Sequence, residues 1–421
     1  MTTEPSPHRR RACIAIGFAI AAFLALRPLL TAYTDFGIYL DCARELVAGE
    51  ANLYRDRGDI GAFLYPHVVL LPLAAIDLVL PEKLTRILYG LLLAAAATSL
   101  VVDALRTMRW FGPVSAWRIA LLAVLFGRCI TQNLTNAQLS LVVAACVARG
   151  VVTLANGRDV RAGIAFGVAI ALKLTPAIFV VALPAMGRVR AGLVAAATTA
   201  ALVLVAPLPF LSTSEHLRHL GDFHDAVLDP LFHSESRGTS AEVGPSASIR
   251  GTLDYLLQPR PRDADGRTLA IADLDGTQLR IAKLSWTLLL LGIAAFGWIR
   301  ARQLDARSAI LVRCAITVIV MSLLSPLTRV YHLAAIAPAA ALLCAIGPGS
   351  GRVARTFAIA TWVAFAVALP LRQRKLLGDE LWWTLDNVGL IHFGLVAMLV
   401  WCAAIAPHAN ATEAPRPAPT P

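Results

Sequence analysis

Residues 9–39 read RRRACIAIGFAIAAFLALRPLLTAYTDFGIY, and their order decides the fold. A basic cluster is followed by an apolar run to about Leu30 and then by a polar shoulder, Thr34-Asp35-Phe36-Gly37-Ile38-Tyr39. The run is long enough, at ~1.5 Å per helical residue, to cross ~30 Å of hydrocarbon. A secretory leader has a similar basic start and apolar core, but no small-residue cleavage site is clear here and the run is of spanning length. The cluster His8-Arg9-Arg10-Arg11 places the N-terminus in the cytoplasm. Asp35 therefore emerges at the opposite membrane surface, where a carboxylate can stay ionised beside water and still face a lipid-borne substrate. On position alone two readings of Asp35 stand: a helix-terminating aspartate, or a catalytic base.

The same pattern recurs outward from this stretch. The chain has 421 residues, is 57% hydrophobic and only 15% charged, where a soluble domain carries ~25% charge. In lipid every backbone polar group must be satisfied within its own segment, so the apolar stretches are helices. The fold class is all-α, a polytopic integral membrane protein. Beyond the first run, apolar segments lie near 63–81, 84–105, 116–131, 137–155, 161–187, 190–211, 283–300, 308–325, 329–346, 353–371 and 388–406. That gives about 12 transmembrane helices and two cytoplasmic termini.

Arginines in the later loops (Arg300, Arg302, Arg307, Arg352 and Arg355) agree with that count, whereas Arg106, Arg109, Arg158 and Arg161 fall on the wrong side. The conflict disappears if 63–80 is re-entrant or lies on the surface and 161–187 breaks at Thr175-Pro176, because a residue before proline is disfavoured in a helix.

The domain reading follows. Residues 1–11 are a cytoplasmic tail. Residues 12–211 form an N-terminal transmembrane catalytic module with an outer loop at 34–62, and 212–282 a long extracytoplasmic loop. Residues 283–406 form a C-terminal transmembrane module, and 407–421 a Pro- and Ala-rich disordered cytoplasmic tail. In the outer loop, Tyr39, Ala43, Leu46 and Val47 recur at helical spacing between Asp41, Arg44 and Glu45, which marks an interfacial amphipathic helix ending at Gly49. The long loop holds His216, His219, His224 and His233. It reads as solvated, with irregular backbone around Gly238, Gly244 and Pro259-Arg260-Pro261, since no tight ligand pair with a clear fourth ligand appears.

The net charge of +11 is carried by arginine in short loops, the distribution of topology signals and headgroup contacts. No basic stripe with interleaved aromatics appears, which argues against nucleic acid. The seven cysteines are scattered without a zinc or redox spacing and read as small buried hydrophobes. No metal and no cofactor is expected.

A charge at mid-bilayer costs ~2.5–3.5 kcal/mol on insertion scales, so polar residues kept in or beside the apolar segments are functional candidates. They are Asp35 with Tyr39, Tyr65-Pro66-His67, Asn136-Ala137-Gln138, Lys173-Leu174-Thr175-Pro176, and the stretch from Ser325 to His332. Each has a plainer alternative. Lys173 can snorkel to the interface, Arg329 can contact headgroups, and His332 can close a helix end. Gln138 can bond between helices, and Tyr65 and His67 can anchor at the interface, the favoured role for Tyr65.

Taken in order, these stretches resemble glycosyltransferase family 87, the polyprenyl-phosphate-mannose-dependent mannosyltransferases of GT-C type. The family's Asp-Phe-x-x-Tyr is matched by Asp35-Phe36-Gly37-Ile38-Tyr39, and its Gly-x-x-Leu-Tyr by Gly49 to Tyr54 with one extra residue. Its Tyr-Pro-Pro becomes Tyr65-Pro66-His67, its Gly-Gln becomes Ala137-Gln138, and its Lys-x-x-Pro is intact at Lys173–Pro176. Its Ser-Pro-x-Ser-Trp-x-His-His is similar to Ser325–His332, with Arg329 in place of Trp and Tyr331 in place of the first His. The similarity runs from about residue 12 to 346.

The resemblance implies a hexose, mannose by family default, moved from a polyprenyl-phosphate donor to a hydroxyl of a lipid-linked or glycan acceptor. Transfer would take place on the extracytoplasmic face of the cell membrane. It implies an inverting single displacement with Asp35 as base. It further implies substrate contacts from Tyr39, Tyr65, His67, Gln138, Lys173, Arg329, Tyr331 and His332, with Lys173, Arg329 and His332 available to the leaving phosphate. The competing class is a transporter or lipid-handling protein without chemistry, for which the chain lacks internal repeats. A scaffold subunit of an envelope-assembly complex is a third reading.

Overall fold

The computed structural model describes residues 7–32, 34–49, 52–55, 63–229, 246–258, 269–325, 328–349, 351–371, 374–387 and 389–405. Among these every regular element is helical. Five helices are long and apolar enough to cross a membrane: Arg11–Thr31, Glu82–Arg109, Gly276–Gln303, Ala306–Leu324 and Arg352–Leu369. The other apolar helices are shorter and are broken by the prolines and polar stretches read from the sequence. The proposed disordered tail, His233, and the Gly238, Gly244 and Pro259–Pro261 positions lie outside the described residues.

Helix α1 (Pro7–Thr31) begins inside the stretch assigned to a cytoplasmic tail and turns Ile16, Ile20 and Phe23 outward. Helix α2 (Asp35–Val47) is the expected outer-loop helix and buries Phe36, Tyr39, Ala43 and Leu46. Val47, expected on the same face, is 52% exposed, because the chain is already leaving the helix toward Gly49 at φ +76°. A short 3-10 turn (His67–Val69) leads into α3 (Leu70–Val79), and α4 (Glu82–Arg109) follows. The 13 residues from His67 to Val79 reach only ~20 Å as a helix, too short for ~30 Å of hydrocarbon. Then come α5 (Ala116–Thr135), α6 (Ser140–Ala155) and α7 (Asp159–Leu172). The break expected at Thr175-Pro176 is present: α7 stops at Leu172, Thr175–Ala177 forms one 3-10 turn, and α8 (Ile178–Ala185) resumes.

Helix α9 (Val189–Ala200) packs along α7. Their approach needs glycine: a Cβ at Gly163 would meet the Ala191 carbonyl oxygen at 2.6 Å, and one at Gly167 would meet Thr198 Cβ at 2.5 Å. A small-xxx-small stripe of this kind lets membrane helices close on one another by backbone contact. Helices α1 and α4, and α6 and α7, form further pairs.

The segment 212–282 departs from the loop reading. It contains α10 (Thr213–Phe223) and α11 (Ile249–Leu257). Helix α10 starts at a capping box: Ser212 Oγ accepts from the Glu215 backbone N–H at 3.3 Å, and Glu215 Oε2 accepts from the Ser212 N–H at 3.0 Å. Its His216 and His219 are buried and not solvated, whereas His224 is exposed. An apolar, half-sequestered face of this short helix has found a partner in the outer loop.

The C-terminal half comprises α12 (Gly276–Arg300), α13 (Ala306–Leu324), α14 (Ala337–Ile346), α15 (Arg352–Ala366), α16 (Arg374–Asn387) and α17 (Leu390–Ile405). Helix α16 is broken at Gly378, φ +74°. Helices α15 and α17 pack together, and both halves meet through α6, α13 and the 3-10 segment Val330–Ile336.

Two ionic clusters mark the ends of α4. At its start Arg44 pairs with Asp77 at 2.7 Å and Glu82 at 2.9 Å, and Glu82 also binds Arg86. Toward its end the buried Asp103 pairs with Arg106 at 3.1 Å and Arg149 at 3.0 Å. Glu82 and Asp103 stand ~32 Å apart along the helix, close to a hydrocarbon thickness. The candidate site lies at the Glu82 end.

Candidate active site

Asp35 is the first residue of α2, with Thr34 as its extended N-cap. The free N–H groups of a helix start favour a negative charge there. Burial works in the other direction and raises the Asp35 carboxyl to about 6, while Arg329 nearby pulls it partly back. The group is thus a carboxylate close to neutrality, the range in which a base combines ionisation with proton affinity.

An aromatic wall supports α2. Phe36 and Tyr89 have ring centroids 4.5 Å apart, and Tyr39 meets Tyr65 edge-on at 5.5 Å. Tyr39 Oη donates to Tyr65 Oη at 3.5 Å, and Tyr65 Oη donates to Gln138 Oε1 at 3.5 Å. These long bonds form one relay of buried hydroxyls. Tyr65 is therefore a buried member of the site and not the interfacial anchor expected from the sequence. Gln138 is placed by a backbone turn in which Ala137 adopts φ +54°, and the Ala137 carbonyl accepts from Tyr89 Oη at 3.1 Å. A glycine fits that left-handed conformation without strain, which is the residue the family pattern carries there.

Lys173 sits in the gap between α7 and the 3-10 turn at Thr175. Its Nζ lies 3.3 Å from Ser140 Oγ, 2.8 Å from His332 Nε2 and 5.5 Å from the centre of the Tyr65 ring. The Arg329 backbone N–H donates to His332 Nδ1 at 3.3 Å. Tyr331 meets His332 edge-on, with ring centroids 4.4 Å apart, in the charge field of Arg329.

The structure thus joins seven of the nine expected residues into two linked groups, Tyr39–Tyr65–Gln138 and Lys173–His332–Tyr331–Arg329, and couples Asp35 to the second through Arg329. Tyr65 touches both groups. His67 is buried but turns away: its contacts are His216 and His219 of α10.

Other residues complete the site, and of them Asn136 already stood among the polar stretches singled out from the sequence. Asn133 uses its side-chain amide to donate to Cys129 O and to Tyr331 O, both at 2.7 Å, and so pins the Arg329–His332 strap to α5. A cavity of about 250 Å³ opens beside Arg329, lined also by Gln132, Asn136, Ser246 and His392. Arg329 Nε and Gln132 Oε1 are buried without hydrogen-bond partners, so a polar ligand in this cavity would satisfy atoms that otherwise carry a desolvation cost. Ser246 Oγ accepts from the Thr328 N–H at 2.9 Å, and Ala247 N–H donates to Thr328 O at 2.8 Å, which ties the long segment to the strap. Gln132 and Asn136 are visible in the sequence as a polar interruption where an apolar segment was expected to end; Ser246 and His392 carry no such signal.

Helices of membrane length, broken short helices between them and a carboxylate among cations and phenols at one end define a multi-pass membrane protein with a buried polar site of enzymatic type. The model of glycosyltransferase family 87 matches residues 63–326, and the chain belongs to that family. It is a membrane glycosyltransferase, and the transporter and scaffold readings give way. The matched span includes Tyr65, Gln138 and Lys173, and it stops short of Asp35 and of Arg329–His332. Among solved structures, ArnT from Cupriavidus metallidurans in the apo state is similar at 15% identity and a TM-score of 0.44, over 95% of this chain and 78% of that one. The same protein bound to undecaprenyl phosphate is similar at 16% identity and 0.41, over 94% and 78%. A comparison with curated proteins gives no match.

Proposed function

We propose that the protein transfers a hexose, mannose by the family pattern, from a polyprenyl-phosphate donor to a hydroxyl of a lipid-linked or glycan acceptor at the extracytoplasmic face of the plasma membrane. The observation that carries this reading is the cluster of Lys173, His332 and Arg329, in which Lys173 Nζ lies 2.8 Å from His332 Nε2 and the Arg329 N–H donates to His332 Nδ1 at 3.3 Å; Arg329 also draws down the Asp35 carboxyl that burial raises to about 6. In the single displacement, Asp35 accepts the proton of the acceptor hydroxyl. The oxygen bonds to the anomeric carbon from the side opposite the phosphate, and the carbon–oxygen bond to the phosphate breaks with its electron pair leaving on the phosphate. A β-linked donor gives an α-glycoside.

Lys173, Arg329 and His332 offer the charge and hydrogen bonds that a leaving phosphate needs. Tyr39, Tyr65, Gln138 and Tyr331 hold the sugar and acceptor in line, a contribution of orientation more than of charge. His67 is the expected contact that this reading does not use directly. The module at 12–211 supplies the base and Lys173, the module at 283–406 supplies the phosphate-facing strap, and the described parts of 212–282 pack against both, α10 on Tyr54 and His67 and residues 246–247 on Thr328.

The test uses the protein in proteoliposomes supplied with labelled polyprenyl-phosphate-mannose and a membrane lipid extract as acceptor. Label should move to a lipid or glycan product, and Asp35→Asn should lower the rate ~10²–10⁴-fold, the usual contribution of a general base. Undiminished transfer by the variant would remove Asp35 from the role.

A further inference from the structure

His67 stands where the family pattern has proline, and it is the one expected site residue that faces elsewhere. It is 0% exposed, and the two histidines it meets on α10, His216 and His219, are 3% and 1% exposed. His67 Nε2 and His216 Nδ1 lie 2.9 Å apart, and the ring centres of His67 and His219 are 5.4 Å apart. His219 Nδ1 is 3.9 Å from Asp222 Oδ2. Beside them the Tyr54 and Phe223 rings pack at 5.6 Å, closing α10 onto the outer loop. Among the described residues no group of three His, Cys, Asp or Glu side chains is arranged to hold a metal ion.

An imidazole–imidazole hydrogen bond needs one protonated and one bare nitrogen. The pair survives with one shared proton and is lost when both facing nitrogens carry one. Buried like charges at these distances repel strongly. His219 already responds in this direction: burial lowers its proton affinity, Arg218 and His216 lower it further, and Asp222 and Glu215 raise it without reversing the shift. The charged and titratable groups facing the cluster are Glu215, Arg218 and Asp222 from α10 and Tyr54 from the outer loop, and neither carboxylate alone neutralises three imidazoles. A histidine whose proton affinity is depressed by folding stabilises the folded contact above its ordinary range near 6.5, and that stability is lost as pH falls through the depressed value.

We propose that His67, His216 and His219 are positioning residues that clasp α10 onto the Tyr65-Pro66-His67 strap, and that acidification, by adding protons at His67 and His219, releases this cover. The clasp acts on the site through Tyr65, two residues before His67, whose hydroxyl links Tyr39 to Gln138. Its influence on transfer rests on the substrate role proposed for Tyr65; the clasp itself does not.

Hydrogen–deuterium exchange of the full-length protein in lipid nanodiscs tests it, with protection of residues 213–223 compared at about pH 8 and about pH 3, the value to which burial and the two neighbouring histidines lower His67, and α4 as internal reference. The native protein should lose about tenfold or more of its protection in α10 at the acid pH, the linkage of roughly one displaced proton over one pH unit, while α4 is unchanged. His67→Phe and, separately, His216→Phe fill the space without a titrating nitrogen, and in each the acid-induced loss should vanish. Asp35→Asn, which disables the proposed base, should keep the native response, so failure of the clasp and failure of the catalytic reading are read apart. Equal protection of α10 at both pH values in the native protein, or an undiminished acid response in both phenylalanine variants, overturns the proposal.

Discussion

Asp35 is governed by two opposed influences, and their balance decides whether it can act as a base. Burial raises its carboxyl and Arg329 lowers it, leaving the group near 6. Ala137 is a second residue-scale case. Its φ of +54° costs an L-residue ~1–2 kcal/mol that glycine does not incur. Ala137→Gly should therefore raise stability by about 0.5–1 kcal/mol after the extra unfolded-state freedom of glycine is subtracted, seen as a higher thermal midpoint of the purified protein; a lower midpoint would mean the turn is not strained. The sequence exposed the chemistry-bearing residues because each is a polar group in or beside an apolar segment: Asp35, Lys173 and His332 stand out for that reason. It concealed orientation. Nothing in Tyr65-Pro66-His67 tells that Tyr65 faces the site and His67 faces a helix 149 residues away.

At the scale of elements, lipid made the helices legible, since apolar runs leave the backbone no alternative. The break at Thr175-Pro176 followed from proline sterics and opens the gap that admits Lys173. Helix α10 was missed although its signature was present: Ser212-x-x-Glu215 is a capping box, and His216, His219 and Phe223 share one face. The polar composition around them outweighed that signal. Contacts between helices were harder still. The close approach of α9 to Gly163 and Gly167 shows only once the two helices are paired. Gly167→Val should place side-chain atoms against Thr198 and the Ala195 carbonyl oxygen and destabilise the fold by ~1–3 kcal/mol. A thermal midpoint unchanged from the native protein would show that α7 and α9 stand further apart.

Across the whole molecule the site is assembled from both halves. Asp35, Tyr39, Tyr65, Gln138 and Lys173 come from before the long segment, and Arg329, Tyr331 and His332 from after it. Residues 246–247 of that segment bond to Thr328, and α10 meets the outer loop, so the described parts of the segment touch both halves. No local pattern brings residue 35 to residue 329, so in the sequence this long-range assembly shows only in the order of the motifs. The coupling between them is also the most direct point of attack. The pH dependence of kcat/KM for sugar transfer should show an acid limb near 6, rate falling as pH drops and Asp35 takes up its proton. The histidine clasp adds acid sensitivity of its own, so the diagnostic quantity is the shift of that limb in Arg329→Gln. Losing the cation leaves burial unopposed, and the limb should move to higher pH in the residual activity of the variant; a limb that stays in place, or moves to lower pH, would contradict Asp35 as the base held beside Arg329.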